Sequence, residues 1–241
     1  MGGFANNAPI VTDGLVFYVD AGNSKSYDGV SGGTTWTDLV GGNDGTLTNM
    51  DTNSASGSYV YDSGNAGSIA FDGADDYVSI ANDLFSGNNE GTLEVILSTD
   101  DITSDKKFFT QEHPTDASGG SSFCFTCETG GVRHRHFNGN RTYGVGQIST
   151  GSIHHISVVI PSSATQTDDL LVYIDTQNYS GTQTAGSVQT LNIGSGRIEI
   201  GAETRNNSYF DGKIYCVKVY NRALSVSEIT QNYNALKNRF V

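Results

Sequence analysis

The chain is poor in cysteine, in positive charge and in long apolar runs, and each shortage removes a class of protein. Its three cysteines, Cys124, Cys127 and Cys216, cannot make a disulfide framework. Lys and Arg number 13 against 26 Asp and Glu, a net charge of −13. Gripping a polyanion takes clustered cations that displace counterions, so neither nucleic acid nor an anionic membrane is expected as a partner. The acidity reads instead as solubility and mutual repulsion between copies. No apolar stretch approaches the roughly 18 residues that a spanning helix needs, so no membrane insertion is expected. The opening Met1-Gly2-Gly3-Phe4-Ala5-Asn6-Asn7 has neither a basic region nor an apolar run. A Sec leader is therefore not expected, and synthesis in a cytoplasm is.

What is present suits short strands and tight turns. The chain has 30 glycines, 10% aromatic residues and 16% charged residues. Glycine supplies positive φ in turns, and Asn or Asp bonds its own backbone there. Low charge with abundant aromatics argues against disorder, and the length suffices for a sizeable core. Strands are expected at 14–20, 68–71, 77–80, 92–98, 107–111, 122–129, 132–138, 153–160, 170–175, 196–202 and 213–221. With no linker and no fixed repeat between them, the expected fold is an all-β antiparallel sandwich over residues 14–241, preceded by an arm at 1–13. One helix is expected near the end. Ser225 as N-cap with Glu228 three positions on forms a capping box, and Leu224 with Ile229 forms a hydrophobic staple. Ile229, Tyr233, Leu236 and Phe240 then make an apolar stripe.

One hairpin can be read in register. Folding residues 123–129 onto 132–137 across a Gly130-Gly131 loop sets Glu128 opposite Arg133, Cys127 opposite His134 and Phe125 opposite His136. Phe125, Cys127, His134 and His136 then share one face, and Cys124 with Arg133 and Arg135 the other. A zinc site from Cys127, His134 and His136 is the geometric possibility, weighed against buried free thiols; Cys124 faces away from it. No metal and no cofactor are expected. His154 and His155 fall on opposite faces of one strand and are expected to be structural. Asp75 and Asp76 are expected to cap a turn. Glu199 and Glu203 are the nearest approach to a pair of catalytic carboxylates, and surface acids are the commoner reading.

The segments Gly14–Asp20, Asn43-Asp44-Gly45-Thr46-Leu47, Phe71-Asp72-Gly73-Ala74-Asp75-Asp76-Tyr77-Val78 and Tyr220-Asn221-Arg222-Ala223-Leu224-Ser225 resemble a laminin-G-like, concanavalin-A-like lectin/glucanase jelly roll. The resemblance runs from residue 14 to about 234. It implies a jelly-roll sandwich with a lectin-like fold. Two positions depart from it. Ile153 stands where the family has Trp before its His pair. Tyr215 and Cys216 stand where relatives carry acids that help hold a structural calcium, so that site is not expected. The opening Asp20-Ala21-Gly22-Asn23, with Thr35-Trp36-Thr37-Asp38-Leu39, is similar to domains of marine bacteriophage virion proteins.

These readings together imply a non-catalytic virion structural protein, a capsid decoration or tail appendage. Its expected partners are other virion proteins or further copies of itself, with attachment to host surface glycans as a second role. The alternative is a free-standing, extracellular carbohydrate-binding lectin or adhesion module. His134, His136, Tyr143, Arg205, Asn206, Asn207 and Tyr209 are the candidate glycan-binding residues, because sugar sites set aromatics beside hydrogen-bonding groups.

Overall fold

The computed structural model describes residues 8–27, 33–50, 67–85, 90–112, 123–193 and 195–240. Most of the expected arm, residues 1–7, and Ser122 of an expected strand lie outside them. Alternating apolar side chains drive two antiparallel sheets together. The seven-stranded sheet runs Leu15–Asp20, Asp211–Tyr220, Gly91–Thr99, Ile153–Ile160, Leu171–Ile174 and Gln177–Tyr179, with Ile69–Asp72 paired to the Asp211 end. The nine-stranded sheet runs Gly181–Ala185, Gly139–Tyr143, Gly131–His136, Phe123–Glu128, Lys107–Gln111, Ile198–Ile200, Tyr77–Ile80, Gly45–Thr48 and Thr35–Trp36. Between them lies the main core: Phe17, Val95, Leu97, Ile156, Val158 and Val217 meet Val78, Phe109, Phe123, Phe125, Ile198 and Ile200. The all-β sandwich expected from the strand pattern is the fold observed.

The Asp211–Tyr220 strand changes partners along its length. Tyr215 is an extra residue, since Ile214 faces Leu97 while Cys216 already faces Ile96. This bulge bends the strand, so its first part pairs with Ile69–Asp72 and its second with Leu15–Asp20. At the positions where acids are missing, Tyr215 packs edge-on against Phe240 and Cys216 is buried under Leu236. Asp20, across from Cys216, takes the Arg239 guanidinium through both oxygens at 2.7 and 2.9 Å.

The helix Val226–Leu236 covers the outer face of the seven-stranded sheet. Its capping box is complete: Ser225 Oγ accepts from the Glu228 amide at 3.4 Å, and Glu228 accepts from the Ser225 amide at 2.8 Å. Leu224 and Ile229 pack with Val159, Tyr173 and Tyr220. Residues 8–13 of the expected arm lie against this helix: the Val11 amide donates to Asn232 Oδ1 at 2.7 Å, and Gln231 donates to the Pro9 carbonyl at 2.7 Å. Ser225→Ala is expected to cost about 1 kcal/mol, the usual worth of an N-cap. Thermal unfolding reads the shift; an unchanged midpoint would mean the cap adds nothing beyond the packing of Leu224 and Ile229.

Among the described residues six strands escape the sequence pattern, one of them the two-residue Ser208–Tyr209 paired with Ala202–Glu203. Thr35–Trp36 and Gly45–Thr48 are short, Gly139–Tyr143 opens in turn-like Asn-Gly-Asn, and Gln177–Tyr179 and Gly181–Ala185 carry almost no apolar residue. The last two are edge strands, where polar side chains face solvent.

Candidate functional site

The site lies on the outer face of the nine-stranded sheet, and local turn chemistry builds it. The 123–136 hairpin turns at Thr129-Gly130, both at positive φ (57° and 67°), which is the primed geometry a two-residue loop favours. Gly131 is the first residue of the returning strand, where a Cβ would meet the Tyr143 carbonyl at 2.5 Å. Glu128 therefore pairs with Gly131, Cys127 with Val132 and Phe125 with His134. This corrects the expected register by two residues. An even slip preserves faces, so the expected grouping of side chains survives and Arg133 still bonds Glu128 diagonally.

The inward face of this hairpin is core. His134, His136 and Tyr143 are 1%, 0% and 1% exposed. The His134 ring stacks on Phe125 (5.0 Å between centroids) and His136 (5.9 Å), and Tyr143 points its hydroxyl at the Thr167 carbonyl. These three candidates are corrected: side chains sealed between the sheets cannot touch a sugar. The zinc alternative falls with them, because Cys127 sits in the apolar core opposite Val132. Burial pushes the Cys124 thiol up to about 12 and raises that of Cys127 as well. Among the described residues, the group whose ligand atoms all lie within 4.8 Å of one another is Asp72, Asp75 and Asp76. There Asp72 caps the Ala74 amide at 2.8 Å and Asp76 accepts from the Asp72 amide at 3.0 Å, so the turn capping expected of Asp75 and Asp76 falls to Asp72 and Asp76.

The outward face carries the chemistry. Arg133 and Arg135 stand on one strand, and Phe137 (φ 49°) and Asn138 form the tight turn to Asn140 on the next. These five residues line an open cavity of ≈ 230 Å³. Acids hold the guanidiniums in place: Arg133 is bonded to Glu128, and Arg135 lies 3.7 Å from Asp105 and 4.0 Å from Glu203. Asn140 completes the frame: with its amide turned to satisfy its neighbours, its oxygen lies 2.7 Å from Arg133 Nη2. Beneath them Lys107, fully buried, bonds Asp105 and lies 3.7 Å from the equally buried Glu203. Burial raises the Asp105 carboxyl, but Lys107 first, then Arg133 and Arg135, hold it below the ordinary range.

A second cationic group stands on the same face. Glu199 and Arg135 stand on strands separated by two others, about 14 Å at ~4.8 Å per strand. Arg197 pairs with Glu199 at 2.7 Å and Glu112 at 3.2 Å, and Arg205 reaches Glu112 at 3.6 Å. The candidates Arg205, Asn206 and Asn207 are exposed on a 3-10 turn, with Tyr209 half-buried beyond them. Glu199 anchors that turn, accepting from the Thr204 amide at 2.8 Å and its hydroxyl at 2.6 Å. Its oxygens hold Thr204 and Arg197, and it and Glu203 are 0% and 1% exposed, which corrects the expectation of surface acids at these two positions. Sequence reasoning placed Arg133 and Arg135 on their face without assigning them a function. It missed Phe137, Asn138 and Asn140, although alternate Arg-x-Arg-x-Phe ahead of Asn-Gly-Asn is a readable signal for such a ledge.

The family model Laminin_G_3, described as the concanavalin A-like lectin/glucanases superfamily, matches residues 72–230. No curated protein matches the chain. Trypanosoma rangeli sialidase, in complex with the inhibitor DANA, superposes with a TM-score of 0.64 at 16% identity, covering 98% of this chain and 35% of that one. The chain thus spans about a third of the sialidase's length. Domain 4 of AbnA, a GH43 extracellular arabinanase from Geobacillus stearothermophilus, in complex with arabinotriose, has a TM-score of 0.55 at 15% identity, covering 91% and 98%. The CBM40 of Ruminococcus gnavus IT-sialidase has a TM-score of 0.52 at 14% identity, covering 68% and 94%. At these identities the likeness is one of fold.

Proposed function

Since the chain belongs to the concanavalin A-like lectin/glucanase superfamily, we propose that it is a non-catalytic glycan-binding module whose arginine face takes carboxylated sugars. The observation that carries this is the pair Arg133 and Arg135, set beside Phe137 and Asn140 around one open cavity. Guanidinium forks bond carboxylates bidentately, an aromatic edge gives the sugar's C–H surface somewhere to rest, and amides serve its hydroxyls. Arg205, Asn206, Asn207 and Tyr209 extend the surface toward Arg197. The sialidase and CBM40 likenesses support the reading by fold, and fold alone does not fix function. In a chain of net charge −13, Arg133, Arg135, Arg197 and Arg205 gather on this face, each beside an acid that orients it.

The test is titration with sialylated and uronate-containing oligosaccharides beside their neutral counterparts. The carboxylated sugars are expected to bind, and more weakly as salt rises. Arg133→Ala with Arg135→Ala is expected to lower affinity about tenfold or more, the worth of a charged hydrogen bond. A blank glycan array at high protein concentration, or binding indifferent to both substitutions, would overturn the site. Hydrolysis of laminarin or agar that Glu199→Gln abolishes would overturn the non-catalytic reading.

We place the module in a virion on the similarity of residues 20–23 and 35–39 to phage virion domains, with an extracellular lectin as the other setting. Its partners there would be other virion proteins or further copies of itself. Particles that lack the protein at stoichiometric level would remove the virion placement.

A further inference from the structure

A larger cavity, ≈ 530 Å³, lies on the opposite side of the sandwich, between the outer face of the seven-stranded sheet and the C-terminal helix with the 3-10 turn that follows it. Ile96 and His155 line it from the sheet, Tyr233, Lys237 and Phe240 from the helical segment, and Asp175 from the turn at the Leu171–Ile174 hairpin. The size falls within the usual range for small-molecule sites.

Its lining is held in place by contacts of its own. The Tyr233 ring lies 5.9 Å from that of His155, and the Lys237 ammonium sits 5.6 Å from the Tyr233 ring centroid. Phe240 is fixed edge-on by Tyr215 at 5.2 Å. Asp175 accepts from His154 Nδ1 at 2.7 Å and from the His155 amide at 2.9 Å. Burial raises its carboxyl, and those bonds hold it below the ordinary range. His155 is 3% exposed; its Nε2 faces Glu94 at 3.4 Å without a well-formed hydrogen bond, and its Nδ1 has no hydrogen-bond partner among the described residues. A buried ring nitrogen left so is costly and needs a reason.

We propose that this cavity is a second carbohydrate site, which takes one neutral hexopyranose unit. Tyr233 and Phe240 offer aromatic surface to the C–H face of the ring, as sugar sites require. Asp175 accepts from neighbouring hydroxyls, Lys237 donates to them, and His155 Nδ1 meets the most deeply inserted one. A carboxylate on one side and an ammonium on the other leave the cavity without net preference for an ion, so the fit is to a neutral polyol. The arginine face plays no part in this argument. With sites on opposite faces of the sandwich, one copy would bridge two glycan chains and gain avidity without further contacts.

The test is a two-dimensional amide NMR titration of the full chain with the methyl pyranosides of galactose, mannose and glucose, each separately. Saturable shifts at Ser152, Tyr233 and Asn238, which border the cavity, are expected for at least one sugar. Tyr233→Ala is expected to weaken that binding about tenfold, the worth of one aromatic contact. Asn238→Ala, at an exposed position, weakens it without threatening the fold. Arg133→Ala with Arg135→Ala leaves it unchanged. Absence of saturable shifts at those residues with all three sugars, or equal affinity in the Tyr233 and Asn238 variants, would overturn the proposal. Shifts confined to the Gly131–His136 strand would overturn it too, and would show that the arginine face takes neutral sugars as well.

Discussion

Lys218→Met is expected to destabilise the fold by about 3–5 kcal/mol, the usual cost of leaving one member of a buried ion pair uncompensated. Lys218 and Glu94 are both fully buried, 2.8 Å apart, on adjacent strands under the helix. Asn232 donates to Glu94 at 2.8 Å and Ser157 donates to it at 3.3 Å, and Asn232 also bonds the Tyr220 hydroxyl. Burial pushes the Glu94 carboxyl up, but Lys218 and then His155 outweigh it and hold it at about 2. Without the ammonium, only His155 and the hydrogen bonds from Asn232 and Ser157 oppose that burial, and the carboxylate must either stay charged in an apolar setting or take a proton. Glu94→Gln in the same chain removes the uncompensated charge, so the double variant should regain most of the loss. Urea unfolding of the wild type, both single variants and the double closes the cycle. A Lys218→Met loss below about 1 kcal/mol, with no coupling to Glu94→Gln, would mean that the pair contributes like an exposed salt bridge.

The same pair shows where sequence stops being informative. In Thr92-Leu93-Glu94-Val95-Ile96-Leu97-Ser98 the alternation says that Thr, Glu, Ile and Ser share a face, and they do. Alternation cannot say that a helix more than 130 residues later covers that face, yet every residue of the strand is buried. The helix itself was legible because its signals are local, a capping box and a stripe within 16 residues. The hairpin at 123–136 was legible to the same depth. Its faces followed from period two, and its turn was misplaced because Thr129 at positive φ is unusual for a β-branched residue. Which face turned inward was not legible: one offered Phe, Cys and His, the other Cys, Thr and Arg. Histidine suits either surroundings when neutral, and that ambiguity put His134 and His136 among the sugar-binding candidates. The arginine ledge depends on acids from distant segments, Asp105 and Glu203, which no local pattern joins to Arg135.

Placing His134 in the core leads to an expected pH dependence. Burial first, then the neighbouring His136 and Arg141, drives its pKa well below the ordinary histidine value. In the fold the ring stays neutral, while in the unfolded chain it takes a proton below about pH 6.5. The unfolded state then binds more protons than the folded one, so stability falls as the pH drops through 6.5, by about 1.4 kcal/mol per pH unit for this one group. Below about pH 4.5 the loss steepens, because Glu94 is protonated in the unfolded chain before it is in the fold, whose carboxyl titrates only near 2. His134→Phe keeps an aromatic ring against Phe125 and removes the titration. Its decline from pH 7 to about pH 5 is expected to be shallower than the wild type's, the difference at pH 5 relative to pH 7 reaching up to about 2 kcal/mol. Urea midpoints at half-unit pH steps read this directly. Parallel curves for wild type and variant would show that another group governs the acid limb, and that His134 titrates in the fold much as it does in the open chain.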